Sequence, residues 1–226
     1  MRPSVFTTPQ AQDPSSQKLT SRPENLIPFT RWITPHGPPK RFTTQMYLYM
    51  LPLQTDQHTL LPTPTHDGGV EHTAATFDNP HTWLAQAQQG AIMLFPPQFY
   101  LLHHISSFVP PSSPEKSTPQ SYQAQRTALH AFLHQTPTTT GDAPPGDKTA
   151  QIPWSDKVIS PTSLFMRKGD GKLVLGLDKP GPELRGSERG GDAERVVLVK
   201  FAKGGPSEVE VRNRGEVLAE ERGGKL

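Results

Sequence analysis

A mixed α/β fold is predicted by three observations. Residues 43–51, TTQMYLYML, put Met46, Leu48 and Met50 on one face and Tyr47, Tyr49 and Leu51 on the other, the pattern of a strand covered on both sides. A helix follows Asn79: asparagine caps, Pro80 suits the first turn, Trp83, Leu84 and Ala87 share a face, and Gly90 terminates. Beyond Trp154, residues 172–177, 195–201 and 208–212 read as strands, with Lys168-Gly169-Asp170-Gly171 as a turn.

Residues 1–25 are rich in Ser, Thr, Gln and Pro without a period and read as a disordered arm. From Leu26 the chain becomes apolar, with Phe29, Trp32, Ile33 and Phe42 around the turn His36-Gly37-Pro38-Pro39. Residues 53–69 read as a loop or weak hairpin. Pro96-Pro97 turns the chain into a second helix, with Phe99, Leu102 and Ile105 or Phe108 as its contacts. Residues 26–110 thus form a first domain. Residues 111–150 are linkers flanking a helix at 122–134 that can bury Leu129, Phe132 and Leu133. A β-rich region at 151–221 and a tail at 222–226 complete the chain, and this region either joins the first core or stands as a satellite. Its last strand sets Val209 and Val211 against charged neighbours, the pattern of an antiparallel edge.

Composition narrows the function. Prolines number 26 in 226 residues, roughly twice the usual share of about 5%. With 33% hydrophobic residues the chain buries a modest core that does not span its whole length. Its 23 basic and 21 acidic side chains leave a net charge of +2 and form no basic stripe interleaved with aromatics, so no nucleic-acid partner is expected. The lack of cysteine removes disulfides, thiolate catalysis and Cys-based zinc sites and suits a reducing compartment. With neither a signal-peptide core nor a long apolar run, the expected chain is soluble and intracellular, without a membrane partner.

Four landmarks stand together: RWITP at 31–35, PKRFTT at 39–44, Trp83 in the first helix, and GAIMLFPPQFYLL at 90–102. In combination they resemble the region downstream of the signature in Nudix hydrolases of the peroxisomal coenzyme A diphosphatase type. The resemblance implies a partial Nudix-like α/β/α sandwich and a hydrolase acting on coenzyme A or a related nucleotide diphosphate with magnesium or manganese. The family's glutamate-rich metal-binding box precedes such a region. Here the 30 residues before Arg31 hold one glutamate, Glu24. The second reading is therefore a catalytically inactive Nudix-like scaffold that binds a nucleotide or a protein.

Candidate site residues carry two readings each. Glu71, beside His66 and Asp67, is either a solvated loop residue or the extra carboxylate some Nudix enzymes use for metal binding or base catalysis. Arg41 is either an ion-pair residue or a phosphate holder. Pro97, Phe99 and Tyr100 form either core packing and a helix corner or an apolar, adenine-facing wall. Glu216, Glu220 and Glu221 sit in a sequence like the box's end, but without its Arg and with one residue more between glutamates, so an exposed charged helix is expected. His103-His104 and the His130/His134 pair lack a three-ligand spacing, and the metal-binding residues stay unassigned. Gly224-Lys225-Leu226 approximates the peroxisomal Ser-Lys-Leu terminus, with the cytoplasm as the other address.

Overall fold

The structure, a computed structural model, describes residues 26–51, 53, 76–111 and 118–223. The 1–25 arm, most of the 53–69 loop, Glu71 and the Gly-Lys-Leu terminus lie outside the described residues. Four α-helices and two sheets of three and four strands lie within them.

Strand β1 (Leu26–Ile33) pairs antiparallel with β2 (Thr43–Tyr49), Leu26 opposite Tyr49 and Ile33 opposite Thr43. Phe29 and Trp32 are three apart and would face opposite sides of a regular strand. A register shift between Pro28 and Arg31 brings both into the core. β2 differs from its expected setting. Among the described residues it is an edge strand with Tyr47 half exposed, Met46 and Leu48 packing on the core and β1 its one neighbour in the sheet.

Helix α1 (Pro80–Gln88) starts where Asn79 accepts from the His81 amide at 2.9 Å and ends before Gly90, at φ +74°. Helix α2 (Pro96–Ser106) opens on the Pro-Pro pair, and Gln98 Oε1 accepts from the Phe95 amide at 2.8 Å. Nε2 of His81 lies 2.9 Å from the Val109 carbonyl, tying α1 to the segment after α2. Helix α3 (Pro119–His134) is capped by Thr118 and buries Leu133.

The C-terminal region joins the first core. Strand β3 (Val158–Ile159) lies parallel to β1, and the Arg31 amide donates to the Lys157 carbonyl at 2.9 Å. The second sheet runs β4 (Thr162–Met166), β5 (Leu173–Leu177), β6 (Asp192–Ala202), β7 (Gly205–Asn213), antiparallel throughout with β7 at one edge. Helix α4 (Arg214–Gly223) returns over this sheet and buries Val217. Residues from β1, α2, α3, β3, β5, β6 and β7 share one apolar cluster. Within it the Trp154 ring lies 4.6 Å from His104, 5.3 Å from Phe132 and 6.4 Å from Phe29.

Residues 136–149 are not the isolating linker their composition suggests. Thr138 is buried, its amide donates to the Ala150 carbonyl at 2.8 Å, and the amides of Thr140 and Asp142 donate to Glu194.

Candidate functional site

Arg41 leaves the turn between β1 and β2 and folds back over the start of β2. Its Nε donates to the Thr34 carbonyl at 2.9 Å and its Nη1 pairs with Glu183. Its Nη2 is buried with no hydrogen-bond partner among the described residues. Arg31, which the bulge leaves on the exposed side of β1, holds Gln45 through Nε at 3.1 Å. Together with Ile33, Phe42, Thr43 and Leu184 these side chains line a hollow of 380 Å³. Two arginines and a single carboxylate thus line the hollow; Arg41 alone pairs with that carboxylate, which stands on the surface. The hydrogen bond from Arg41 holds the Glu183 carboxyl below its usual range. A buried donor without an acceptor costs free energy, and a shift of the Arg41 guanidinium toward an anion in the hollow would relieve it.

The other named residues lie elsewhere. Phe99 and Tyr100 are 3% and 0% exposed and take the core-packing arrangement of the two readings. Tyr100 stacks edge-on against Trp32 at 5.4 Å, and packing of a helix on the first sheet, not ligand contact, sets its place. Pro97 occupies the first turn of α2, where its missing N–H costs no helical hydrogen bond. Glu71 lies outside the described residues.

Beneath α2 sits a charged network the sequence did not disclose. Asp192 Oδ2 accepts from the Tyr100 hydroxyl at 2.7 Å and from Arg195 Nη1 at 3.2 Å, while its Oδ1 takes the amides of Glu194 and Arg195. Glu194 Oε1 receives the Thr140 amide at 2.5 Å and the Asp142 amide at 3.2 Å. Burial and the Asp192 charge push the Tyr100 hydroxyl well above its ordinary pKa, which keeps it a proton donor. Burial, with Arg195 nearby, pulls His103 down and His104 well below the ordinary histidine value. Burial also lowers Lys157 to about 8, though its Nζ donates to the Thr149 and Gly191 carbonyls at 2.7 and 2.9 Å. These carboxylates spend their acceptors inside the protein, and the network's chemistry is structural. The signal available in the sequence was the DAER opening of β6, which reads equally well as the solvated start of a strand.

No group of three His, Asp or Glu side chains gathers among the described residues, and Glu216 and Glu220 pair with Arg212. No helix among them is long and apolar enough to cross a membrane. No known protein family, curated protein or solved structure matches the chain.

Proposed function

We propose that the chain is a Nudix-like module that binds coenzyme A or a related nucleotide diphosphate in the hollow shared by Arg31 and Arg41. The observation that carries the reading is the buried, unpartnered Nη2 of Arg41 at a surface hollow holding a second arginine. It falls within the RWITP and PKRFTT segments, which carry the Nudix resemblance, so sequence and geometry point to the same residues. The chemistry is charge-assisted: guanidinium groups match phosphate oxygens in paired contacts, and Glu183, 45% exposed, is a carboxylate that a multiply charged ligand can displace.

Hydrolysis asks for more than these residues supply. Cleaving a diphosphate requires neutralisation of developing oxygen charge and activation of water, and in the resembled enzymes glutamates holding magnesium or manganese do both. The described residues account for binding, and Glu71 is the carboxylate on which any turnover by this chain is proposed to depend.

The test is a parallel measurement of coenzyme A binding and of product formation with magnesium or manganese, on the unaltered chain, Arg41→Ala and Glu71→Gln. Binding that Arg41→Ala weakens and Glu71→Gln spares supports the assignment. Robust turnover untouched by both substitutions would overturn it.

A further inference from the structure

A second cavity shares Leu184 with the Arg41 hollow. A cleft of 760 Å³ is bounded by the β1–β2 turn at His36, by residues 160–163 where the chain passes from β3 into β4, and by the β5–β6 connection at 179–189. Its size falls in the range of small-molecule sites, about 300–1,000 Å³. Three cations line it, Lys179, Arg185 and Arg189, and no lining residue is acidic. The nearby Glu183 is already engaged with Arg41 in the neighbouring hollow.

These cations are not neutralised from within. Among the described residues no carboxylate pairs with Lys179, Arg185 or Arg189; Arg189 reaches only the Asp156 carbonyl, at 3.3 Å. Arg41, Arg167, Arg195, Arg212 and Arg214 each have an acidic partner, whereas Arg31 holds a glutamine and Arg126 a backbone carbonyl. The hydroxyl oxygen of Thr162, a lining residue, is buried without a hydrogen-bond partner. Three cations without a carboxylate partner thus line one cleft, and a ligand's anionic oxygens would supply that partner.

The cleft is also built rather than left over. The Ser160 amide donates to the Lys179 carbonyl at 2.8 Å, fixing the β5–β6 connection to the end of β3. Gly181 has φ +103°, and a Cβ there would lie 3.1 Å from Cβ of buried Ser160, so glycine is required for this approach. Ser187 Oγ donates to the Leu184 carbonyl at 2.7 Å and accepts from the Arg189 amide at 3.2 Å, which shapes the cationic stretch. Leu175, Leu184 and several prolines supply an apolar wall beside the charges.

We infer that this cleft binds a phosphorylated small molecule of nucleotide size, its phosphates against Lys179, Arg185 and Arg189 and its organic part against Leu175, Leu184 and the prolines. The site is separate from the Arg41 hollow and does not depend on it. Free phosphate offers the same charge as a nucleotide but nothing for the apolar wall, so the two are separable by affinity.

The experiment is a titration of the full chain, labelled for amide-resolved NMR, with ADP and separately with inorganic pyrophosphate. ADP is expected to shift the amides of 160–163 and 179–187 saturably and to bind more tightly than pyrophosphate. In the double variant Arg185→Ala/Arg189→Ala those shifts are expected to need at least about tenfold more ADP, the scale of losing charged hydrogen bonds. Arg41→Ala is expected to leave them within about twofold. Both arginines are surface residues, and retained spectral dispersion shows that the variant stays folded. ADP shifts confined to 31–43, shifts unchanged in the double variant, no saturable shift at 160–163 and 179–187, or pyrophosphate binding as tightly as ADP would each overturn the inference.

Discussion

The hydroxyl of Tyr100 on α2 donates a 2.7 Å hydrogen bond to Oδ2 of Asp192 at the start of β6, across 92 residues of sequence. Tyr100 is fully buried, Asp192 nearly so, and Arg195 completes the pairing. This contact locks the helix that carries the PPQFYLL segment onto the second sheet. Tyr100→Phe removes the donor and preserves the ring, so a loss of about 1–3 kcal/mol is expected from a buried acceptor that loses one partner. Asp192→Ala removes one of Arg195's two carboxylate partners together with the acceptor of the Tyr100 hydroxyl and of two backbone amides, and is expected to cost more, about 3–5 kcal/mol. Urea denaturation of the two variants measures both, and the prediction fails if Tyr100→Phe is the more damaging.

Gly191 marks where β3 and the second sheet approach most closely. A Cβ at this position would lie 2.0 Å from the Leu177 carbonyl oxygen and 2.8 Å from Ile159, and neither a backbone oxygen nor a fully buried isoleucine yields readily. Gly191→Ala is therefore expected to lose about 2–3 kcal/mol or more. Gly204, with nothing within 4 Å, is the control; its alanine variant should stay within about 0.5 kcal/mol of the parent. Thermal melts of the two variants compare them directly.

His104 is buried among Tyr100, Phe132 and Trp154, and its Nε2 has no hydrogen-bond partner among the described residues. Burial, reinforced by Arg195, His103 and Lys157, holds its folded pKa well below the ordinary value, whereas the unfolded chain protonates it near pH 6.5. Below that pH the unfolded state binds more protons, so stability falls as pH falls. His104 contributes a slope of at most about 1.4 kcal/mol per pH unit. His103, lowered less, adds to the same trend. Denaturation between pH 7 and 5 should show a shallower loss for His104→Phe than for the parent; parallel curves would contradict the burial argument.

Local chemistry made the helices and the last three strands readable. Asn79-Pro80 with Gly90, and Pro96-Pro97, each act within one or two helical turns, so their effect is written where they stand. The period-2 pattern of Val209 and Val211 works the same way. β1 was not readable as a strand because its bulge breaks that period between Phe29 and Trp32, and its second partner, β3, is a two-residue strand more than a hundred residues away. For the same reason the union of the N- and C-terminal regions was invisible: it rests on Trp154, Ile159 and Leu177 meeting Phe29 and Tyr100, contacts that no local window contains. At the hollow, Arg41 drew notice from its motif. Glu183, its partner 142 residues on, lies in a Gly- and Pro-rich stretch that reads as a loop.

Glu183 competes with an incoming anion for Arg41. Glu183→Gln removes that competing charge without opening a gap. Coenzyme A binding is therefore expected to tighten by about tenfold, the scale of one charge-assisted contact no longer displaced. The gain should shrink as salt is raised, because the carboxylate is exposed and its field is screened over about 10 Å at 0.1 M. Isothermal titration at two ionic strengths measures both effects, and weaker binding by Glu183→Gln would assign Glu183 to the ligand rather than against it.

The most direct measurement is calorimetric titration of the purified chain with coenzyme A, beside Arg41→Ala and the double variant Arg31→Ala/Arg41→Ala, each checked for an unchanged fold by circular dichroism. Saturable binding is predicted, its affinity at this hollow weakened about tenfold or more by the first variant and further by the second, as charged hydrogen bonds to phosphate are removed, while any event at the Lys179–Arg189 cleft stays unchanged. Absence of saturable binding, or an affinity that neither variant alters, would contradict the nucleotide-diphosphate assignment.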